Sequence, residues 1–440
     1  MISISPQRRD ELLDALRRGT VPSTSLDLLA VGLDNLRPVL EAELDSVRSG
    51  RGVLKAVRGE YGSGKTFFAR WLQEMARRGG FASSEVQISE TETPLHRLET
   101  VYRRLVENLS TTDTRLGALR SIIDGWFYTL EEEVLQGDEN ETPDEVYLLE
   151  RTNILMERRL EQVTRQAPAF AACLRGYREA IAAGDKETAE GLLAWLSGLP
   201  NVAARIKRKA GIKGDIDHFG ALSFLGGLLT VLRDSGHSGL VLVLDEVETL
   251  QRVRGDVRDK GLNALRQFMD EVEAGRFPGL YLLGTGTPAF FDGPNGVQRL
   301  PPLAQRLHVD FTTDARFDNP RAVQIRLSGF DLQKLKEVGA KVRDIYAAHC
   351  TNADRIHEVA DNLYLNDLAR AVTGELGGKV GVAPRVFLKK LVADVLDRID
   401  QFPEFDPRQH YALTVSDAEL TDVERNARGA SNVDEIELDL

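Results

Sequence analysis

The octapeptide at residues 59–66 constrains the fold of this chain of 440 residues more than any other feature. It reads Gly-Glu-Tyr-Gly-Ser-Gly-Lys-Thr and matches the pattern GxxxxGK[ST] in full. An apolar run at 53–57 precedes it, and apolar residues at helical spacing follow over 66–78. A strand, a glycine-rich turn and a helix in this order predict a phosphate-binding loop that follows the end of a buried strand in a parallel sheet.

The loop is predicted to bind the phosphates of a nucleotide. Its glycines let backbone N–H groups turn toward the phosphates, and the N-terminus of the following helix adds a favourable dipole. The Lys65 amine is expected to contact the β- and γ-phosphates, and the Thr66 hydroxyl to ligate Mg²⁺. The predicted nucleotide-binding residues of the loop are Gly59, Glu60, Tyr61, Gly62, Ser63, Gly64, Lys65 and Thr66.

Two carboxylates follow the most apolar segment of the chain, residues 239–244. Such a segment predicts a central strand covered on both faces, and the carboxyl ends of parallel strands face the ligand crevice. Asp245 is predicted to hold Mg²⁺ through water, and Glu246 to polarise the water that attacks the γ-phosphate. Glu248 is interpreted as a carboxylate that faces solvent or a partner.

Hydroxyl side chains end two other predicted strands. Thr285 is placed to hydrogen-bond the γ-phosphate or the attacking water; Thr287 is the alternative, and the sequence does not separate the two. Both are also residues that cap a tight turn. Ser89 ends a strand predicted at 85–89 and is a candidate to restrain Glu246, with an ordinary turn serine as the alternative.

Two arginines are candidates to neutralise the charge that develops on the transferred phosphoryl group. Arg385 begins a helix near the C-terminus and is predicted to reach back across a domain cleft. Arg306 lies after the Thr285 strand and is predicted to project into a neighbouring subunit. For each, a solvated surface arginine is the alternative.

One local basic run stands out in a chain whose net charge is −12. DNA phosphates are one interpretation of its partner, and a solvated helix end is the other. No aromatic residue interleaves with the run, so a base-stacking surface is not indicated. The candidate DNA contacts are Arg205, Lys207, Arg208 and Lys209.

Composition excludes several classes of protein. The two cysteines, Cys173 and Cys350, are far apart and have no CxxC or CxxH spacing, which argues against a disulfide framework or a structural zinc site. No uncharged apolar run reaches about 18 residues. The start of the sequence is too polar for a signal peptide, so the expected location is the cytoplasm, without membrane contact.

Alternation of strands and helices predicts an α/β fold with a central parallel sheet. Residues 1–329 are expected to form the core, with a large helical insertion at about 94–234 that is interrupted near 138–144. Residues 330–402 show only helical patterns and are expected to form a separate helical domain. The stretch 403–440 is expected to be an acidic, partly disordered tail.

The order of these motifs resembles the AAA ATPases, nearest to the origin-recognition and STAND-like branch. The resemblance implies an AAA-type P-loop core with a C-terminal helical lid, ATP and Mg²⁺ as cofactors, adenine beside Val31 and Gly32, and γ-phosphate sensing by Arg385. Origin-binding relatives continue into a winged-helix DNA reader, for which too few residues follow the lid here. The residues that carry the resemblance are Val31-Gly32-Leu33-Asp34, the phosphate loop, Asp245-Glu246, Gly284-Thr285-Gly286-Thr287-Pro288 and Pro384-Arg385.

A closer resemblance, to the ATP-binding proteins of BREX phage-defence systems and among them the BrxD type, rests on VRGEYGSGKTFFARWL, EVQISETETPLHRLETVYRRL and LVLVLDEVETL. It implies ATP-dependent assembly or regulation of a defence complex on DNA. It also implies homo-oligomers or complexes with defence proteins such as a helicase and a phosphatase-like protein. Two other functions stay open: a nucleotide-gated switch with little hydrolysis, and a DNA loader or remodeller similar to origin proteins.

Overall fold

The computed structural model describes residues 4–136, 145–375, 384–420 and 425. The interruption predicted near 138–144 therefore lies outside the described residues, as does most of the predicted tail beyond residue 420. By internal contacts the chain divides into two compact units. The first unit comprises Met1–Val39, Val57–Glu74 and Val309–Leu440, and the second comprises Leu40–Ala56 and Met75–His308.

Five strands form one sheet in the order β2, β3, β4, β1, β5. The strand β2 pairs in parallel with β3, and β3 pairs in parallel with β4. This arrangement confirms the predicted α/β class and the parallel sheet. The strands are β1 Val53–Arg58, β2 Ala82–Gln87, β3 Leu240–Asp245, β4 Leu280–Gly286 and β5 Gln324–Arg326.

The interior position of β3 follows from its composition, although the middle strand of the five is β4 and not β3 as predicted. All six of its residues are buried, and its aliphatic side chains cover both faces of the sheet. The strand β2 begins three residues earlier than its apolar pattern predicts and ends at Gln87. It includes Ser83 and Ser84, whose hydroxyls are satisfied internally: Ser84 Oγ donates to the Leu105 carbonyl at 2.8 Å, and Ser83 Oγ lies 3.0 Å from Ser110 Oγ.

Helices make up most of the remaining described chain. None of them is both long and apolar enough to cross a membrane. A π-helical segment, Lys390–Leu396, separates α18 from α19. The helices are α1 Pro6–Arg17, α2 Arg37–Arg48, α3 Lys65–Arg78, α4 Leu98–Glu107, α5 Leu119–Gln136, α6 Glu145–Arg159, α7 Glu161–Gln166, α8 Pro168–Ala182, α9 Lys186–Leu196, α10 Ala204–Lys209, α11 His218–Asp234, α12 Gly255–Glu273, α13 Pro288–Asp292, α14 Pro301–Leu307, α15 Leu332–Ala347, α16 Ala353–Val359, α17 Asn362–Glu375, α18 Pro384–Lys389, α19 Asp397–Gln401 and α20 Pro407–His410.

In the second unit, helices α4 to α11 occupy the region predicted as a helical insertion. Three of them, α4, α8 and α9, contribute aromatic rings that pack around Phe224 of α11. The ring of Phe224 meets those of Tyr102, Phe170 and Trp195 edge to face, with centroids 5.3–5.9 Å apart. Edge-to-face aromatic contacts add directional stabilisation to the burial of the rings, so this region has an apolar core of its own.

In the first unit, the N-terminal helix α1 packs against the C-terminal helices. Leu12, Leu13 and Leu16 of α1 belong to one apolar cluster with residues of α15 to α19. The same cluster includes residues beyond 403, where the sequence predicts the tail to begin: Phe405, Val415 and Leu420. Apolar packing therefore continues to residue 420, although the charge of that stretch indicates a solvated tail.

The segment before α2 is fixed against the helix that follows the phosphate-binding loop. The Glu74 carboxylate accepts hydrogen bonds from the backbone N–H groups of Ser25 and Leu26, both at 2.8 Å. The Asp27 carboxylate accepts from the Trp71 indole at 2.6 Å and from the Arg37 guanidinium at 2.7 Å. These two carboxylates therefore fix the segment that leads to Val31 and Gly32 against helix α3.

Candidate functional site

The phosphate-binding loop joins the end of β1 to the start of α3 at Lys65. Gly62 and Gly64 have left-handed backbone conformations, with φ of 78° and 92°. A Cβ on Gly59 would lie 2.2 Å from the Ser63 hydroxyl oxygen, so no side chain fits there. The turn favours glycine at positions 62 and 64 because other residues adopt left-handed conformations only at a cost, and at position 59 because of the close approach of Ser63.

Lys65 is buried, and its amine lies inside the loop. Its Nζ donates to the carbonyls of Gly59 at 2.8 Å and Glu60 at 3.3 Å, and lies 5.1 Å from the centre of the Tyr61 ring. The Ser63 hydroxyl is buried and has no hydrogen-bond partner among the described residues. An enclosed ammonium group, a buried polar oxygen and the N-terminus of a 14-residue helix form an arrangement suited to anionic phosphates.

In the second unit, Asp245 and Thr285 end neighbouring strands and bind each other. The Thr285 hydroxyl donates to the Asp245 carboxylate, and the Glu246 backbone N–H donates to the Thr285 hydroxyl at 3.2 Å. Thr285 and Asp245 are 0 % and 4 % exposed. The hydroxyl therefore fixes the carboxylate and orients the backbone at Glu246.

Glu246 itself has a left-handed backbone, with φ of 59° and ψ of 44°. For a residue with a Cβ this conformation is strained, and such strain concentrates at functional sites. Its carboxylate accepts a hydrogen bond from the Gln87 amide at 3.0 Å. Gln87 lies opposite Asp245 in the pairing of β2 with β3, which brings its side chain to the same sheet edge.

Gln87 takes the position that the sequence assigns to Ser89. The Ser89 hydroxyl instead accepts from the backbone N–H groups of Glu92 and Thr93, at 3.1 and 2.9 Å. It is an ordinary turn serine. The reason is that β2 ends two residues earlier than predicted, so the residue facing Glu246 is Gln87. Only the register of β2 against β3 reveals this partner, and the local sequence carries no signal for it.

Replacing Gln87 with Ala should release the Glu246 side chain. If the hydrogen bond restrains Glu246 before hydrolysis, basal ATP turnover should rise about three- to ten-fold, the equivalent of one ordinary hydrogen bond. Ser89→Ala is the matched control and should leave turnover unchanged, because the Ser89 hydroxyl serves only its own turn. Steady-state phosphate release measures both. Lower turnover in Gln87→Ala would mean that Gln87 holds Glu246 in its productive orientation instead.

The structure distinguishes Thr285, near the end of β4, from Thr287, which follows the strand. Thr287 is the N-cap of α13, and its hydroxyl accepts from the Phe290 N–H. Thr285 carries the contacts to Asp245 and Glu246. Glu248, interpreted from sequence as a carboxylate that faces solvent or a partner, is only 4 % exposed. That interpretation was wrong because the chain turns inward through Val247–Gln251 directly after the strand.

A family described as BREX system ATP-binding protein BrxC/D matches this chain over residues 4–415. The chain belongs to this family. No curated protein matches the sequence closely enough to count as a relative. The family's description confirms two predictions at its own level of detail: this BrxC/D family member binds ATP, and it is a component of a BREX system.

Of the arginines considered for the transferred phosphoryl group in this BrxC/D family member, Arg306 contacts its own unit. It lies in α14 and pairs with Asp270 and, at 3.4 Å, with Glu273, both on α12. These are contacts within the chain at a partly exposed surface. A role in a neighbouring subunit requires Arg306 to leave both carboxylates.

Arg385, in the first turn of α18, is partly buried. Its Nη2 donates to the Glu419 carbonyl at 2.6 Å. Its Nη1 lies 3.2 Å from the position that a Cβ on Gly19 would occupy. Both neighbours belong to the first unit, as the phosphate-binding loop does.

The entry segment at Val31 and Gly32 is held by α15. Lys341 Nζ donates to the Ala30 carbonyl at 2.6 Å. Gly32 has φ of 71°, and the Lys334 side chain passes 3.2 Å from where its Cβ would be. The backbone there is therefore fixed by residues more than 300 positions away in sequence.

The basic run lies on α10, and most of its charge is neutralised within the chain. Arg205 pairs with Glu187, Lys207 with Asp215 at 3.0 Å, and Lys209 with Asp185 at 2.7 Å. Arg208 is exposed and forms no ion pair with any residue the structure describes. Three internal ion pairs reduce the positive potential available to DNA phosphates, so the solvated helix end is the interpretation that the contacts favour.

Proposed function

We propose that the chain hydrolyses ATP with Mg²⁺ as an AAA-type component of a BREX anti-phage system, and that BrxD is the component to which it corresponds. The observation that carries the proposal is the pair of hydrogen bonds that link Asp245, Glu246 and Thr285 at the end of β3. Thr285 binds both the Asp245 carboxylate and the Glu246 N–H, and Glu246 has a strained backbone. These contacts orient the two carboxylates that the proposal assigns to Mg²⁺ and to the attacking water.

In this proposal the loop residues Gly59 to Thr66 bind the phosphates. Lys65 exchanges its carbonyl partners in the loop for phosphate oxygens, which are stronger acceptors because they are charged. The Ser63 hydroxyl and the backbone N–H groups of the loop complete the set of donors. Val31 and Gly32 lie beside the adenine base, and the hydrogen bond from Lys341 to the Ala30 carbonyl keeps their backbone in place.

The site also contains oxygen atoms suited to Mg²⁺, which prefers oxygen ligands and retains several waters. The Thr66 hydroxyl and the Asp245 carboxylate would hold it. When bound, it supplies the charge neutralisation that phosphoryl transfer requires. Thr285 keeps the Asp245 carboxylate in one orientation, and the Glu246 carboxylate accepts the proton of the attacking water.

Arg385 and Arg306 are proposed to neutralise developing charge on the γ-phosphoryl group. Arg385 does so from the C-terminal helical lid of the same chain, and Arg306 from a neighbouring subunit. The support for Arg385 is its place in the same compact unit as the loop. Because Arg306 pairs with two carboxylates, its contribution depends on an assembly that competes for it.

The proposed role in the cell is ATP-dependent assembly or regulation of a defence complex acting on DNA in the cytoplasm. Homo-oligomers or complexes with a helicase and a phosphatase-like protein are the proposed partners. Direct DNA contact through Arg205, Lys207, Arg208 and Lys209 is the weaker part of the proposal, because three of the four have carboxylate partners. A DNA loader similar to origin proteins depends on such contact.

A nucleotide-gated switch is the second candidate, and one observation favours it. The Gln87 amide occupies one oxygen of the Glu246 carboxylate, and that oxygen must leave the amide before it takes a proton from water. In such a switch, ATP binding changes partner affinity, and hydrolysis waits for a partner to break the contact.

Steady-state ATP hydrolysis by the purified protein, with and without double-stranded DNA, tests these functions. Turnover without DNA supports the ATPase, and stimulation by DNA that weakens with added salt supports the loader. Tight ATP binding without turnover in either condition contradicts the ATPase and leaves the switch. A second series with Lys207, Arg208 and Lys209 replaced by Ala shows whether any DNA effect depends on α10.

A further inference from the structure

Glu419, in the C-terminal segment, contacts three cationic side chains, two on α18 and one at the start of the π-helical segment that follows it. The Glu419 carbonyl accepts from the Arg385 guanidinium at 2.6 Å. Its carboxylate accepts from the amines of Lys389 at 3.1 Å and Lys390 at 3.0 Å. A single residue therefore binds the proposed phosphate-sensing arginine and both neighbouring lysines.

The Glu419 carboxylate is held firmly in its charged form. Burial acts to raise its pKa, but hydrogen bonds from Lys390, from the Ser416 N–H and from Lys389 outweigh burial and lower the pKa to about 2. Lys390 is itself buried. Next to this contact, Val415 and Leu420 are buried in the apolar cluster of the first unit. The segment is thus anchored by apolar packing on both sides of an ionic contact.

We propose that residues 415–420 form an intrachain latch that keeps Arg385 from bound ATP until the Glu419 contacts are broken. The latch rests on the proposed function, because Arg385 contacts the γ-phosphate only in that account. It adds a regulatory element that belongs to the C-terminal segment.

The physical argument is competition for one guanidinium. In the proposed site the triphosphate requires the Arg385 guanidinium, whose Nη2 here donates to the Glu419 carbonyl. When only a fraction of molecules has the binding-competent arrangement, the apparent Kd rises by the inverse of that fraction. Weakening the carboxylate contacts should enlarge the fraction, because it frees the segment that carries the carbonyl.

The test is ATP binding, measured by calorimetry with Mg²⁺, in Glu419→Gln and in the control Glu404→Gln. Glu404 is exposed and makes no ion pair with the described part of the chain, so both variants remove one negative charge from the same C-terminal stretch. The latch predicts that Glu419→Gln lowers the Kd for ATP by about five-fold or more, where five-fold is the lower end of allosteric couplings. It predicts no change of Kd in Glu404→Gln. Lys389→Gln should change affinity in the same direction by a smaller factor.

Unchanged or weaker ATP binding in Glu419→Gln, with thermal unfolding like that of the wild type, would overturn the latch. If Glu419→Gln unfolds early, Lys389→Gln decides, because it removes one donor and leaves Glu419 in place. The Lys65→Ala variant distinguishes failure of the latch from failure of the proposed nucleotide-binding site. Loss of ATP binding in Lys65→Ala together with no effect of Glu419→Gln rejects the latch alone, whereas wild-type binding in Lys65→Ala rejects the proposed site.

Discussion

ATP turnover should fall by about 100-fold or more when Glu246 is replaced with Gln, the range expected for removal of a general base. Glutamine has the same size and still accepts the hydrogen bond from Gln87, but its amide does not take a proton from water. The left-handed backbone at this residue costs the wild-type protein and the variant a similar amount of folding free energy, so folding should be unaffected. Steady-state phosphate release gives the turnover, and calorimetry should show ATP affinity unchanged.

Asp256→Asn is the control for this variant, because Asp256 is an exposed carboxylate on the next helix and lies outside the proposed site. It should retain wild-type turnover. Full activity in Glu246→Gln would contradict the role of Glu246 as the base, and would direct attention to other carboxylates near β3.

Replacing Lys65 with Ala should remove most of the affinity for ATP. The amine is buried, and truncating one member of a buried, hydrogen-bonded charge pair costs about 2–5 kcal/mol. That cost raises Kd roughly 30-fold to several thousand-fold. Turnover should be lost as a consequence. Binding of a fluorescent ATP analogue measures the effect, with thermal unfolding as the check on folding.

Lys260→Ala is the matched control for Lys65→Ala. Lys260 is exposed, so its replacement tests the effect of losing one positive charge at a distance from the loop. It should bind ATP like the wild type. Equal loss of affinity in both variants would mean that net charge, not the loop, determines nucleotide binding.

The phosphate-binding loop and the buried strand β3 were predictable because their signals are local. Eight consecutive residues define the loop, and the apolar run before Asp245 identifies a strand buried on both faces. The start of β2 was not predictable in this way. Ser83 and Ser84 suggest a turn, and their burial in the strand depends on hydroxyl partners at Leu105 and Ser110.

The contacts of the candidate site depend on residues that are distant in sequence. Gln87 and Glu246, which are 159 positions apart in sequence, are joined by the register of two strands. The pairing of Arg306 with Asp270 depends on how α14 packs against α12. The basic run predicts an open positive surface only if its neighbours are ignored, since Glu187 and Asp185 belong to the preceding helix and its cap. Spacing alone gives none of these pairs.

The most direct test of the central claim is a single turnover of ATP on excess protein with Mg²⁺, with the phosphate formed measured after rapid quenching. The account predicts that the wild-type protein converts its bound ATP to ADP and phosphate. It also predicts that Glu246→Gln binds the same amount of ATP and forms no phosphate over that time. Bound ATP that stays intact on the wild-type protein, or phosphate formed at the wild-type rate by Glu246→Gln, would contradict the account.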